Sequence, residues 1–411
     1  MCRHFRIACW LLAFSLVGCA SPPPANTVKT GPLILISIDG FRPDYLDRGL
    51  TPNLAALAAS GVRAQSMRPS FPAITFPNHY TLVTGLYPDH HGIVNNTMED
   101  PAIPGQKFTM ASQDPRWWAM ATPIWITAQR RGLRAATMFW PGSEIPHDGM
   151  LPEQFVPYDK TITPDARVDK VLGWLALPQA ERPGFVTLYF DQVDGAGHAG
   201  GPDSDGVDAA LGLVDRAIGR LVAGLRQRQL FEQTNLVIVA DHGMENTARD
   251  RTVYLDDLVD IETIHVEATG VPVGLHPEPG HEKAVERALL GRHGHLECWR
   301  KDQIPARFHY GTNRRVPAII CLPDLGWSVW THDFVASLKG KFVLGMHGYD
   351  NAEPDMGALF IAEGPAFRQN EVHAAFDNVD VYPLLAHLMA IEPEANDGQF
   401  RDVSDMLKPD Y

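Results

Sequence analysis

Three short apolar runs in this chain end in residues that could bind a cation. Leu33–Ile38 runs into Asp39, Phe185–Phe190 is followed by Asp194 and His198, and Leu236–Ala240 leads into the adjacent pair Asp241-His242. Further on, Met346-His347-Gly348-Tyr349 sets a histidine in a glycine-flanked loop. Taken singly, each could cap a turn or sit in a loop without binding anything. Together they gather carboxylates that have no Lys or Arg immediately beside them, and such anions repel one another unless cations compensate them. Mixed Asp/His donors favour zinc over magnesium or calcium, which prefer oxygen shells. About five to seven such ligands suffice for two four-coordinate ions with positions left open.

A nucleophile is also within reach of the sequence. Between the first two runs lies Ser70-Phe71-Pro72-Ala73-Ile74-Thr75-Phe76-Pro77-Asn78-His79. Pro77 and the stretch to Val83, closed by Gly85, predict a helix that begins at Thr75 or Phe76. A hydroxyl there is often only an N-cap. It is equally well placed to attack, because the positive end of the helix dipole and a metal both lower its pKa. With Asp39 before it and Asp241-His242 after it, the nucleophile reading is preferred.

The elements that must position these groups read as strands alternating with helices. The three runs are short, branched or aromatic, and apolar throughout, as parallel strands buried on both faces are. Thr51-Pro52-Asn53 opens a helix over Leu54–Ser60, with Thr51 as cap and Gly61 as stop, and Val207–Leu230 is a longer amphipathic helix. The alternation predicts a doubly wound, mostly parallel α/β sheet with helices on both faces and inserted segments, binding its ligands beyond the carboxyl ends of the strands.

Composition narrows the function. With 411 residues, 45% of them hydrophobic and 20% charged, the chain has ample material for a core, and global disorder is excluded. Gly 35 and Pro 33 follow no period, which rules out collagen. Lys+Arg 35 against Asp+Glu 49 gives −14, a poor footprint for a stable nucleic-acid partner. An anionic substrate must therefore meet local positive charge, which metal ions supply.

The N-terminus reads as an address. Arg3 and Arg6 precede Ile7–Val17, which is too short to span a bilayer. Residues 1–18 form the expected signal peptide, and Leu16-Val17-Gly18-Cys19 resembles a bacterial lipobox with Cys19 lipidated. An ordinary signal peptide with an incidental cysteine is the alternative. Ala20 after the cysteine is similar to lipoproteins passed to the outer membrane. The expected setting is therefore the periplasm, with a lipid anchor as the sole membrane contact and 19–32 as a Pro-rich tether. Cys2 and Cys9 leave with the signal, so Cys298 and Cys321 remain and point to one disulfide. In the loop-entropy model it contributes roughly 3 kcal/mol. A cysteine-ligated metal is the weaker option, since neither has a CxxC partner. Residues 33–411 are expected to form one catalytic domain, in which 261–345, lacking a clear period, reads as an insertion carrying the disulfide.

Five motifs carry a family resemblance. Ile36-Ser37-Ile38-Asp39-Gly40, Thr75-Phe76-Pro77-Asn78-His79-Tyr80 with Thr84-Gly85-Leu86-Tyr87-Pro88, Asp194-Gly195-Ala196-Gly197-His198, Asp241-His242-Gly243-Met244 and His347-Gly348-Tyr349-Asp350-Asn351 resemble the nucleotide pyrophosphatase/phosphodiesterase family of the alkaline phosphatase superfamily. The likeness runs in order from Leu33 to about Ile391, as a bacterial form made of the catalytic core alone. It implies one zinc on Asp39, Thr75, Asp241 and His242, and another on Asp194, His198 and His347. It makes Thr75 the nucleophile, gives Asn96 a non-bridging phosphate oxygen, and has Phe76 and Tyr158 sandwich a nucleobase. Bland alternatives are core packing for Phe76 and a surface position for Tyr158. Gly-Ala stands between Asp194 and Gly197 where many relatives have Ser-Ser, which leaves both ligands intact. The absence of CxPxR around Thr75 argues against a formylglycine sulfatase.

The activity implied is two-zinc hydrolysis of nucleotide phosphodiester and pyrophosphate bonds. Thr75 would form a phosphothreonine, water would release a nucleoside 5′-monophosphate, and two displacements would retain configuration at phosphorus. A backbone N–H near Phe76 is expected to join Asn96 at the phosphate. The expected partner is a nucleotide or other small phosphodiester, and a monomer is favoured. Rival readings are a phosphonoacetate hydrolase, a choline or lysophospholipid phosphodiesterase with an acidic-aromatic cage, and, outside catalysis, an inactive metal-binding surface lipoprotein.

Overall fold

Strands that are apolar on both faces are stable only in the middle of a sheet covered on both sides. The computed structural model describes Met1 and residues 31–411, so the signal peptide, Cys19 and nearly all of the 19–32 tether lie outside the described residues. Along the chain come β1 (Leu33–Ile38), α1 (Pro52–Ser60), β2 (Val62–Ala64), α2 (Thr75–Thr84), β3 (Ala135–Met138), β4 (Gln154–Val156), α3 (Pro164–Leu175), β5 (Phe185–Phe190), α4 (Gln192–Gly200), α5 (Asp205–Gln227) and β6 (Asn235–Val239). Then follow β7 (Ile264–Ala268), β8 (Val273–Pro277), α6 (Glu282–Leu289), β9 (Gly291–His293), β10 (Leu296–Arg300), β11 (Ile319–Pro323), β12 (Phe360–Glu363), β13 (Glu371–His373) and α7 (Val381–Leu388).

The central sheet has eight strands in the order β13-β2-β12-β6-β1-β5-β3-β4. Only β12 runs against the rest. Every residue of β1, β5 and β6 is buried. The helices fall into two groups, α1, α3 and α4 against α5 and α2 against α7, as a doubly wound α/β fold requires. With β5 and β6 flanking β1, three carboxyl ends meet at one place on the sheet edge, where such folds hold their ligands.

Three details of the elements differ from the sequence reading. Thr51 makes no capping bond to α1. Asp215 of α5 does the work instead, its Oδ1 accepting the Leu54 N–H at 2.8 Å and its Oδ2 the Asn53 N–H at 3.2 Å. The long helix α5 starts at Asp205 under a Ser204 cap and stops at Gln227. Gln229 takes φ +57°, a left-handed conformation that ends the helix before Leu230. The third strand is shifted by one residue, although the Ala240 N–H still bonds to Leu359 across the sheet.

The stretch without a readable period is a second, antiparallel sheet in the order β7-β8-β11-β10-β9. Its small core includes Leu275, Val285, Leu289, Leu296 and Ile319, and it also recruits Leu255 and Val259 from before residue 261. Cys298 and Cys321 face each other across β10 and β11 and are bonded, which removes the cysteine-ligated metal.

One buried histidine makes stability pH-dependent. The Nδ1 of His91 accepts the Ile93 N–H at 3.1 Å while its Nε2 faces Thr81 Oγ1 at 3.1 Å, so the neutral ring fits and a doubly protonated one does not. Burial pushes its pKa down to about 3. An unfolded imidazole titrates near about 6.5, so between these values the unfolded chain binds more protons than the fold. Its contribution is complete above that upper pH and is lost as pH falls toward 3, amounting to about 5 kcal/mol at most. The thermal midpoint should drop from pH 7.5 to 4.5, and His91→Gln should flatten that slope. Equal slopes for both proteins would contradict this.

Candidate active site

Gly40 lets the strand ends converge. At φ +69°, its N–H donates to Asp241 Oδ1 at 3.1 Å, and a Cβ there would stand 3.1 Å from the Asp194 Cα. The Asp194 N–H in turn donates to the Asp39 carbonyl at 3.1 Å. Asp194 and His198 lie one turn apart on α4, with Asp194 Oδ1 3.4 Å from His198 Nε2. This helix contains Gly195, Gly197 and Gly200, so propensity does not announce it. His347 arrives from the far side, where Gly345–Met346 pairs with Glu245–Asn246 beside the Asp241-His242 turn.

All six strand-end and loop ligands expected from the sequence therefore come together. His242 Nε2 is 2.9 Å from Asp241 Oδ2 and 3.5 Å from Asp39 Oδ1. His347 Nε2 is 3.2 Å from His198 Nε2 and 3.6 Å from Asp194 Oδ1. The His242 and His347 rings stack at 3.6 Å. The Nδ1 atoms of His198, His242 and His347 each meet a backbone carbonyl, those of Gly345, Gly243 and Ala73, at 2.8 to 2.9 Å. That contact fixes the proton on Nδ1 and turns the Nε2 lone pairs into the cluster, as metal-ligating histidines require.

The acid side chains test whether a metal fits. Asp39 Oδ1, Asp194 Oδ1 and Asp241 Oδ2 are buried with no hydrogen-bond partner. Orphaned carboxylate oxygens are costly unless a cation satisfies them. Burial, and then the charges of Asp241 and Asp194, holds Asp39 well above the ordinary carboxylate range. Burial likewise raises Asp194. Burial would also raise Asp241, but His242 and His79 more than offset it and hold it well below. Burial, then the charges of His242 and His198, keeps His347 neutral by pushing its pKa well down. Two groups, Asp39 with Asp241 and His242, and Asp194 with His242 and His347, are compact enough to hold an ion. The first group is fully buried, whereas Asp194 and His198 open toward solvent.

Thr75 is the first residue of α2, and its Oγ1 lies 3.3 Å from His242 Nε2. Asn96 Oδ1 accepts the Phe76 N–H at 2.9 Å, which leaves its amide N–H groups free to donate outward. Asn96 thereby takes an otherwise unsatisfied first-turn donor of α2. Phe76 and Tyr158 line one cavity of about 400 Å³ together with Trp118, Trp140 and Asp191. Phe76 is half-buried and packs edge-on against Phe108 and at a tilt against Trp118, so packing and lining coexist. Tyr158 is 51% exposed, and its hydroxyl donates to Asp191 Oδ2 at 3.0 Å.

Three supporting groups escaped the sequence reading. Tyr189 donates its O–H to Asp39 Oδ2 at 2.6 Å. His79 is fully buried, with Nδ1 2.9 Å from the Thr75 carbonyl and 3.3 Å from Asp241 Oδ2. Its position four residues after Thr75, on the same helix face, was the available signal. Arg167, buried, ion-pairs with Asp191 Oδ1 at 2.7 Å and so steadies the residue that holds Tyr158. No sequence signal announces it, because the pair joins α3 to the residue after β5 and forms only in the fold.

Comparison with known proteins adds independent information. The family model described as type I phosphodiesterase / nucleotide pyrophosphatase matches residues 33–350. An uncharacterised pyrophosphatase/phosphodiesterase of Schizosaccharomyces pombe is 37% identical over 95% of this chain and 83% of its own length. Ectonucleotide pyrophosphatase/phosphodiesterase family member 3 of Rattus norvegicus is 36% identical over 92% of this chain and 44% of its own. A venom phosphodiesterase of Crotalus durissus collilineatus is 37% identical over 97% of this chain and 49% of its own, so this chain spans about half the length of these animal relatives. Among solved structures, murine ectonucleotide pyrophosphatase/phosphodiesterase 5, as an inactive threonine-to-alanine variant in complex with AMP, superposes with a TM-score of 0.87 at 35% identity. That match covers 92% of this chain and 100% of the murine one.

Proposed function

The chain belongs to the type I phosphodiesterase / nucleotide pyrophosphatase family of hydrolases, and from that premise we propose that it is a two-zinc enzyme that cleaves nucleotide phosphodiester and pyrophosphate bonds and releases nucleoside 5′-monophosphates. The observation that carries the proposal is the trio of orphaned carboxylate oxygens on Asp39, Asp194 and Asp241, facing three histidine Nε2 atoms beside the Thr75 hydroxyl. One ion would be held by Asp39, Thr75, Asp241 and His242, the other by Asp194, His198 and His347. When bound, they would supply positive charge that lowers the Thr75 hydroxyl pKa and neutralises the diester anion.

The chain's own residues account for the remaining steps. Thr75 Oγ forms a bond to phosphorus as the bond to the leaving oxygen breaks, and the proton Thr75 gives up passes through solvent to the departing group. Asn96, braced by the Phe76 N–H, donates from its amide to a non-bridging phosphate oxygen. Water then attacks the phosphothreonine: its oxygen bonds to phosphorus, the bond from phosphorus to Thr75 Oγ breaks, and one of its protons passes to Oγ as the nucleoside monophosphate leaves. His79 braces the first turn of α2 against Asp241, which fixes the nucleophile relative to the ligands.

Recognition falls to the aromatic cavity. AMP bound to the murine relative supports a nucleotide as the ligand there. No Lys or Arg lines the cavity among the described residues, which disfavours a phosphonoacetate carboxylate. Asp191 and Glu144 give the choline reading its acidic groups, but Asp191 is already neutralised by Arg167. Tyr158→Ala removes a stacking face worth about 1–3 kcal/mol. It should raise the nucleotide KM by about 5- to 150-fold while sparing a nitrophenyl phosphodiester without a base. Unchanged nucleotide kinetics with impaired choline diesters would replace the nucleotide reading by the choline one.

We propose the setting from the N-terminal sequence. The protein is exported to the periplasm as an outer-membrane lipoprotein, held through Cys19 alone, and acts as a monomer on small phosphodiesters. No described helix is long and apolar enough to cross a membrane. A substrate panel tests the function directly: a nucleotide diester, a lysophospholipid, phosphonoacetate and a nucleoside monophosphate, with and without zinc. The nucleotide diester should be turned over best, and the monophosphate should release no inorganic phosphate.

A further inference from the structure

Tyr158 stands on an irregular stretch past β4, outside any helix or strand, and half of its side chain is open to solvent. A ring so placed is free to change rotamer, and fixing it only when a base arrives costs binding energy. Here it is held beforehand. Its hydroxyl donates to Asp191 Oδ2 at 3.0 Å. Burial, then the charge of Asp191, pushes the hydroxyl pKa up, so the group stays protonated and able to donate.

Asp191 is pinned in turn. Its Oδ1 accepts from Arg167 Nη1 at 2.7 Å, and Arg167 is fully buried, with Asp191 the one carboxylate paired to it among the described residues. The same guanidinium donates to the Tyr189 carbonyl through Nη1 and to the Ile162 carbonyl through Nε, both at 2.9 Å. It also lies over the Phe139 ring at 5.0 Å, and Tyr158 meets that ring edge-on at 5.3 Å. Phe139 takes φ +63°, a costly left-handed conformation for a residue with a side chain, and its carbonyl is held by Thr187 Oγ1 at 3.0 Å.

This support has the same root as the chemistry. Tyr189 and Asp191 are two residues apart at the end of β5. The first gives its hydroxyl to Asp39, and the second receives the hydroxyl of Tyr158. One strand end therefore sets both a proposed metal ligand and the proposed stacking face.

Resting on the nucleotide reading above, we propose that Asp191, backed by Arg167, is a positioning residue that presets Tyr158 for the nucleobase, so that nucleotides are favoured by pre-organisation as well as by stacking area. Tyr158→Phe keeps the ring and removes only the tether. In the full chain supplied with zinc, it should lower kcat/KM for a nucleotide diester, relative to a nitrophenyl phosphodiester without a base, by about 3- to 10-fold, through KM and not through kcat. Asp191→Ala should do the same, and in the Tyr158→Phe background it should add nothing, because both changes break one bond. Asp191→Asn should restore most of the ratio, since its amide can accept from Arg167 through oxygen and donate to the Tyr158 oxygen through nitrogen. Thermal midpoints report whether the alanine variant, which leaves Arg167 without a counter-charge, is folded; where it is not, Tyr158→Phe and Asp191→Asn carry the test. A parental ratio in Tyr158→Phe, a loss confined to kcat, or losses that multiply in the double variant would overturn the proposal. Tyr158→Ala with a parental ratio would instead bring down the nucleobase reading itself, whereas a fall there beside a parental Tyr158→Phe would bring down this inference alone.

Discussion

Thr75→Ala should reduce turnover by about a thousandfold or more for every phosphodiester, whatever its base or leaving group. The substitution deletes the atom that bonds to phosphorus, together with one proposed metal contact, and neither loss depends on what the substrate carries elsewhere. Thr75→Ser keeps the oxygen at the same helix end and should retain appreciable activity. The fold should tolerate both changes, since the Thr75 side chain makes no contact that anchors α2; Asn78 anchors that turn through the Pro72 and Ile74 carbonyls. The check is steady-state kinetics on a nucleotide diester and a nitrophenyl diester, together with the thermal midpoint. An alanine variant with near-parental turnover would remove Thr75 from the chemistry, and a loss confined to nucleotides would make it a binding residue.

The second large effect is expected at His347. Its ring stacks on His242 and its Nε2 faces His198 and Asp194, so it borders both groups of ligands. His347→Ala leaves Asp194 Oδ1 with one fewer neighbour to share a cation and opens the cluster to water. Metal content should fall by about one ion per chain, and turnover by at least about a hundredfold. His79→Ala is the instructive contrast. It removes a brace on Asp241 and α2 without removing a ligand, so the loss should be smaller. Elemental analysis beside kinetics separates the two, and an unchanged metal content in His347→Ala would contradict its role.

The candidate site was more legible than its supports. Asp39, Asp194, Asp241 and His242 could be found because buried parallel strands leave an unmistakable apolar run, and ligands of a doubly wound sheet sit just past the end of it. Thr75 was legible from the Pro77 and Gly85 signals that bound a helix. The Asp215 cap, the Arg167–Asp191 pair and the Tyr189 contact with Asp39 were not, because each joins residues brought together only by the fold. The second sheet stayed hidden for a different reason. Its strands are three to five residues long, and although β7 alternates apolar and polar residues, β11 is buried throughout, so no one period runs through the segment. That Asn96 claims the Phe76 N–H was not legible either, because sequence counts unsatisfied donors at a helix start but cannot say which side chain takes them.

The central claim is that metal bound at the strand ends enables Thr75 to cut a nucleotide diester and leave a 5′-monophosphate. The most direct test is one experiment on the full chain: remove metal exhaustively, add back zinc in steps, and follow products from diadenosine diphosphate by chromatography. Turnover should vanish on chelation and return as about two zinc ions bind per chain, with AMP as the sole product and no inorganic phosphate. Full activity in the metal-free chain, or release of inorganic phosphate from the AMP formed, would contradict the account.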